Sequence, residues 1–117
     1  MLLNALSGSA HYERFESLAY GDGERQSVDV YRPIDIQAGA PLVVYFYGRA
    51  WRDGHKEEFR FVASSLTRAG FVVVLPDYRL YPEVRFPTYV EDGARAVAWA
   101  VANAKRFGAD SSKLYLM

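Results

Sequence analysis

The 117-residue chain contains no cysteine. Disulfide bonds, thiolate metal sites and a cysteine nucleophile are therefore excluded. Neither sign of charge predominates: Lys plus Arg and Asp plus Glu come to 14 each, for a formal net charge of zero. There is no basic block and no acidic tail. The electrostatic footprint that nucleic acid or an anionic membrane surface requires is thus missing. No apolar run approaches the roughly 20 residues that cross a bilayer. The N-terminal "MLLNALSGSA" lacks a basic region, and its apolar core is too short for a secretion signal. The expectation is a soluble, cytoplasmic protein without nucleic-acid or membrane partners. No metal-ligand cluster, Gly-x-Gly-x-x-Gly or P-loop occurs, so no metal and no cofactor is expected.

What is present is an ordinary globular balance, with 50% hydrophobic and 24% charged residues and no repeat or linker to divide it. Residues 14–33, "RFESLAYGDGERQSVDVYRP", read as a hairpin. Phe15, Leu18 and Tyr20 lie on the first arm and Val28, Val30 and Arg32 on the second, with Gly21, Asp22 and Gly23 as the turn between them. Pro33 ends the second arm because it cannot donate to a ladder. Residues 41–48, "PLVVYFYG", and 71–78, "FVVVLPDY", are continuous apolar runs, the pattern of strands buried on both faces. Between them Phe59, Val62, Ala63 and Leu66 recur at helical spacing and Gly70 follows as a stop. A second helix is expected over 88–107, with Val90, Ala94, Val97, Val101 and Ala104 as its buried stripe and Gly108 as its end. Residues 111–117, "SSKLYLM", begin a third strand.

The order strand, helix, strand, helix, strand makes two consecutive βαβ units, hence an α/β fold with a parallel sheet and an antiparallel hairpin at one edge. Ligands of such sheets bind outside the carboxyl ends of the strands. The loops that begin at Tyr47 and after Tyr78 both leave from that side.

Four segments in this order resemble the α/β-hydrolase superfamily, in the esterase/lipase branch of feruloyl-esterase-like, hormone-sensitive-lipase-like and kynurenine-formamidase-like enzymes. They are "SVDVYRP", "YGRAW", "PDYRLYPEVRFP" and "VEDGARAVAWAVANAKRFGADSSKLYLM", and the likeness runs from about Glu16 to Met117. The resemblance implies a serine hydrolase acting on small-molecule carboxylic esters, with a nucleophile on a sharp strand-to-helix turn, a histidine base and an acidic partner. It also implies that the loop after the third strand, the apolar run 41–48, supplies backbone N–H donors to the oxyanion. Those donors would be Gly48, Arg49 and Ala50, with Tyr47 and Trp51 lining the site. Relatives commonly carry His-Gly-Gly-Gly here. Gly48 and Ala50 keep the backbone accessible, whereas Arg49 departs from the pattern. A Cβ at that position opposes left-handed geometry by about 1–2 kcal/mol.

In such enzymes a Gly-x-Ser-x-Gly elbow would come next after "LYLM", and no serine of these 117 residues has that context. Ser7 and Ser9 precede any strand, while Ser64 and Ser65 fall within a helix. The expectation is therefore a truncated, N-terminal part of one hydrolase domain, covering residues 1–117 and inactive by itself. An alternative is a non-catalytic module that associates through an exposed sheet edge, since an unpaired strand is a template for pairing. An independent flavodoxin-like or Rossmann-like domain is disfavoured by the absence of a phosphate loop. His11 reads as an exposed side chain. A triad of His55, Ser64 or Ser65, and Asp77 is disfavoured because the serines lie among helix core positions. Asp77 reads as structural, bracing the loop that follows it.

Overall fold

A computed structural model describes residues 11–46, 60–77 and 88–117. The elements in chain order are β1 (Tyr12–Ala19), β2 (Ser27–Pro33), β3 (Ala40–Val44), α1 (Arg60–Arg68), β4 (Val72–Pro76), α2 (Thr88–Asn103) and β5 (Ala109–Leu116). A 3₁₀ turn over Ala104–Phe107 links α2 to β5. The five strands form one mixed sheet in the order β1-β2-β4-β3-β5. The hairpin pairs β1 with β2 antiparallel and joins the rest through an antiparallel β2/β4 ladder. β3 runs parallel to both β4 and β5. The expected α/β architecture, with parallel strands and an antiparallel hairpin at one edge, is the observed one.

Strand order explains where the helices lie. The step from β3 to β4 moves one way across the sheet, and the step from β4 to β5 moves back across β3. Crossovers of one hand in opposite directions must leave their helices on opposite faces. On one face α1 sets Ala63 and Leu66 against Tyr31, Val43, Val73 and Leu75. On the other, Ala96, Ala100, Ala104 and Phe107 lie against Val28, Val30, Leu42, Val44, Val72 and Val74. The valines and Leu42 are at most 1% exposed; both faces of β3 and β4 are covered, which is why these strands carry no polar alternation. Phe15 meets Phe107 edge-on at 5.2 Å and ties the hairpin to the end of the second helix.

The buried stripe of α2 differs from the one the spacing predicts. Ala104 is buried as expected, but Val90, Ala94 and Val101 are exposed, and the other residues against the sheet are Asp92, Ala96 and Ala100. The true face is turned by about 100°, the angle one residue subtends on a helix. Alanines win because a helix lying flat on a tightly packed valine sheet must come close. Val97 and Trp99 then pack from the flanks.

The hairpin carries a bulge. Phe15 pairs with Val30 but Leu18 with Val28, so β1 has one extra residue. Ser17 absorbs it with a positive φ of 56°. The Ser17 N–H donates to Asp29 Oδ1 at 2.8 Å, so the buried Asp29 holds the bulge. Beside it Arg14 pairs with Glu16. Burial opposes the Arg14 charge, but Tyr31, Glu16 and Asp29 outweigh that cost and its pKa is raised. At the start of β5, Asp110 accepts from the Ser112 hydroxyl and N–H, and its pKa is lowered chiefly by these two bonds.

Gly70 and Gly108 end the helical segments at φ of 97° and 83°, as the sequence predicts for C′ positions. A Cβ at Gly70 would meet nothing within 4 Å, whereas one at Gly108 would stand 3.0 Å from Ile36 Cδ1. Gly70→Ala should therefore cost only the left-handed strain, about 1–2 kcal/mol. Gly108→Ala should cost more, because Ile36 must also move. Urea midpoints of the two variants check the order; equal losses would contradict it.

Candidate functional site

The carboxyl ends of β3, β4 and β5 stand side by side, and their last backbone bonds set the geometry there. Tyr45 N–H donates to the Val74 carbonyl at 2.9 Å. Phe46 N–H donates to the Met117 carbonyl at 2.9 Å, and Met117 N–H returns to the Val44 carbonyl at 3.0 Å. The chain therefore leaves β3 at a point bonded to both neighbouring strands. Side chains fix the same point: Tyr45 packs into the cluster on the α1 face and Phe46 into the one on the α2 face. The Phe46 ring rests against α2, where a Cβ on Gly93 would be 3.6 Å from its Cε1.

This end of the sheet is also a topological switch point. The connection after β3 leads to α1 on one face, and that after β4 leads to α2 on the other. Connections that part to opposite faces leave a crevice between the carboxyl ends of their strands. The candidate donors Gly48, Arg49 and Ala50, and the candidate lining residues Tyr47 and Trp51, directly follow Phe46 in the chain. All five lie outside the described residues, as do His55 and the residues 78–87 that follow Asp77.

A polar network that the sequence reading missed braces the end of β4. Asp77 N–H donates to the Ser27 carbonyl and its own carbonyl accepts from the Tyr20 hydroxyl, both at 2.8 Å. Arg25 Nη2 reaches Asp77 Oδ1 at 2.7 Å. The neighbouring Gln26 is buried. Its Oε1 accepts from Gly23 N–H at 2.7 Å and its Nε2 donates to Asp92 Oδ1 at 2.9 Å. One hairpin turn thus holds both Asp77, at the end of β4, and Asp92, near the start of α2. Asp77 is bonded to the preceding hairpin; the loop after it, which the sequence reading has it brace, lies outside the described residues. The glycines of the turn make room for the Gln26 amide: a Cβ on Gly21 or Gly23 would be 2.7 or 2.9 Å from its Oε1. A signal for Asp92 was available in the i+4 series Asp92, Ala96, Ala100, Ala104, where one carboxylate stands on a stripe of small residues.

His11 is half-buried, not exposed as the sequence suggests, because it packs against α1. Its Nε2 is 3.1 Å from the Ser64 carbonyl and 3.4 Å from Ser64 Oγ. A carbonyl only accepts, so the Nε2 that bonds it carries the proton and cannot take one from the serine. Among the described residues no group of three or more His, Cys, Asp or Glu side chains is placed to hold a metal. No helix among them is long and apolar enough to cross a membrane.

The family model BD-FAE matches residues 28–117, from β2 to the last residue. The chain belongs to the BD-FAE family. It is 34% identical over 108 residues to Esterase LipC of Mycobacterium tuberculosis, covering 88% of this chain and 27% of that protein. It is 31% identical over 101 residues to isoprenylcysteine alpha-carbonyl methylesterase ICME of Arabidopsis thaliana, covering 86% of this chain and 24% of that one. Esterase B of Lactobacillus rhamnosis superposes with a TM-score of 0.83 at 22% identity over 91% of this chain and 35% of its own. That likeness concerns the fold, which is that of the α/β-hydrolase esterases over their N-terminal region. The chain spans about a quarter of the length of the two curated relatives.

The Gln26–Asp92 bond yields a prediction about stability. Gln26→Glu would set two buried carboxylates within hydrogen-bond distance and should cost about 3 kcal/mol or more at neutral pH, the scale of an uncompensated buried charge. The loss should shrink as pH falls, because one carboxyl of such a pair takes up a proton. Adding Asp92→Asn places an amide donor opposite the introduced carboxylate and should recover most of the stability. Thermal or urea unfolding of the single and double variants checks this; a double variant no better than Gln26→Glu would contradict it.

Proposed function

We propose that this chain forms the front part of a serine esterase acting on small carboxylic esters, and that it carries the oxyanion-hole loop. The observation that supports this most is the mutual bonding of Phe46 and Met117 at the carboxyl ends of two adjacent parallel strands. A loop beginning one residue after Phe46 starts beside the end of β5. In a serine hydrolase the donors of that loop and the N–H of the residue after the nucleophile must converge on one oxygen. The esterase relatives, LipC and ICME among them, support the reaction class.

In this reading Gly48 and Ala50 offer backbone N–H groups with little side-chain obstruction, and Tyr47 and Trp51 line the site. Each well-placed donor to the tetrahedral oxyanion lowers the barrier by about 2.7–4 kcal/mol. Arg49 retains its own N–H and adds a cation beside the developing negative charge. The nucleophilic serine, its base and the acid that orients the base lie outside these 117 residues. The chemistry needs no cofactor, because serine, histidine and a carboxylate carry out acyl transfer between them.

The reading predicts that the 117-residue chain does not hydrolyse p-nitrophenyl acetate above the buffer rate, since oxyanion donors without a nucleophile have no intermediate to stabilise. Turnover by this chain that is lost in Gly48→Val or Ala50→Val would overturn it, by showing that the nucleophile is already present.

A further inference from the structure

The hairpin turn contains a reactive dipeptide that its own packing imposes. Asp22 directly precedes Gly23. A Cβ on Gly23 would stand 2.9 Å from Gln26 Oε1 and 3.3 Å from Gln26 Cδ. The buried Gln26 amide therefore holds position 23 to glycine. The same missing Cβ leaves the Gly23 backbone nitrogen open to the carboxyl group of the residue before it. An aspartate so placed can close a five-membered succinimide ring with that nitrogen.

We propose that Asp22 is a site of isoaspartate formation, and that the Gln26 side chain sets its rate by holding the Gly23 N–H. In the first step the Gly23 nitrogen bonds to Asp22 Cγ, the Cγ–OH bond breaks, and the hydroxyl leaves with the amide proton as water. Water then opens the ring. Addition at Cγ restores aspartate. Addition at the Asp22 main-chain carbonyl carbon gives isoaspartate, in which the chain runs through Cβ and Cγ and the α-carboxylate becomes the side group. One water leaves and one returns, with no change of oxidation state.

The folded turn opposes the first step. Gly23 N–H donates to Gln26 Oε1 at 2.7 Å, and the Gly23 carbonyl accepts from Gln26 N–H at 3.0 Å. One residue thus fixes both peptide groups of Gly23 and engages the proton that must leave. Gln26 is fixed in turn. Its Nε2 donates to Asp92 Oδ1 at 2.9 Å, and its carbonyl accepts from the Tyr20 and Gly21 N–H groups at 2.9 and 3.3 Å. Ring closure has to start from a turn in which these bonds have opened, so its rate follows the open fraction. The product keeps the turn open. Isoaspartate adds one atom to the main chain between residues 22 and 23, which moves the Gly23 N–H off Gln26. The modification is therefore a one-way release of the tie from the turn to Asp92 on α2. This inference concerns the turn alone. It depends neither on the hydrolase reading nor on how the chain continues past Met117.

The test follows the full chain through incubation at neutral pH and physiological temperature. Trypsin, cutting after Arg14 and Arg25, releases residues 15–25, in which Asp22 is the only aspartate. Isoaspartate leaves the mass of this peptide unchanged, shifts its retention and blocks cleavage by endoproteinase Asp-N. Isomerisation at Asp22 should be at least tenfold slower in the folded chain than in the same chain held in urea. Gln26→Leu, which removes the acceptor, should raise the folded-state rate at least tenfold. Gln26→Glu combined with Asp92→Asn keeps an oxygen acceptor for the Gly23 N–H and should stay close to the unaltered rate. Gly108→Ala weakens the fold at the other end of the sheet and controls for stability. Where Gln26→Leu fails to fold by far-UV circular dichroism, the double variant and the urea comparison decide. Equal rates in the folded and urea-held chain, no isoaspartate at Asp22 in either, a double variant as fast as the urea-held chain, or a folded Gln26→Leu no faster than Gly108→Ala would each overturn the inference.

Discussion

The register of β3 between β4 and β5 is the constraint on which the rest of the molecule depends. Val43 and Val44 are fully buried between two helical layers, so β3 cannot slip by one residue without turning its core side chains to the wrong face. That register brings Tyr45 to Val74 and Phe46 to Met117. It thereby decides where the chain can leave the sheet. An oxyanion loop must present its donors within a few tenths of an ångström of a reacting oxygen. A start anchored by bonds to both neighbouring strands, and by two side chains packed on opposite faces, is the kind of footing that such placement requires.

The hairpin turn is the second fixed point. Gln26 and Arg25 cross from it to Asp92 and Asp77, one at each side of residues 78–87 in the chain. Buried polar groups stabilise a fold only when satisfied, and an unsatisfied one costs about 1–3 kcal/mol. The turn is therefore committed to one position. The antiparallel hairpin at the edge of the sheet acts as a brace for the carboxyl end of the parallel strands, the end at which ligands of such sheets bind.

The strands were legible because burial on both faces leaves an unbroken apolar run, and the helix stops because Gly70 and Gly108 occupy left-handed positions. The buried stripe of α2 was misread at Val90, Ala94 and Val101. Larger side chains at 90 and 101 outweigh alanine in a hydrophobicity pattern, whereas close approach to a valine sheet selects alanine at 96 and 100, beside the correctly read Ala104. His11 was misread because no local pattern announces a bond to a carbonyl 53 residues away. The Gln26–Asp92 bond, across 66 residues, was hidden for the same reason. Long-range polar contacts carry no periodicity. The resemblance of "YGRAW" to an oxyanion loop rests on composition and order, and the fold adds the position from which that loop starts.

The central claim is that β3 and β5 are the oxyanion and nucleophile strands of one serine esterase. Sequencing the transcript through and beyond codon 117 tests it most directly. The account predicts a Gly-x-Ser-x-Gly sequence within the first few codons after Met117, in the same frame or one nucleotide shift away. A transcript with no such sequence in any frame downstream would contradict it.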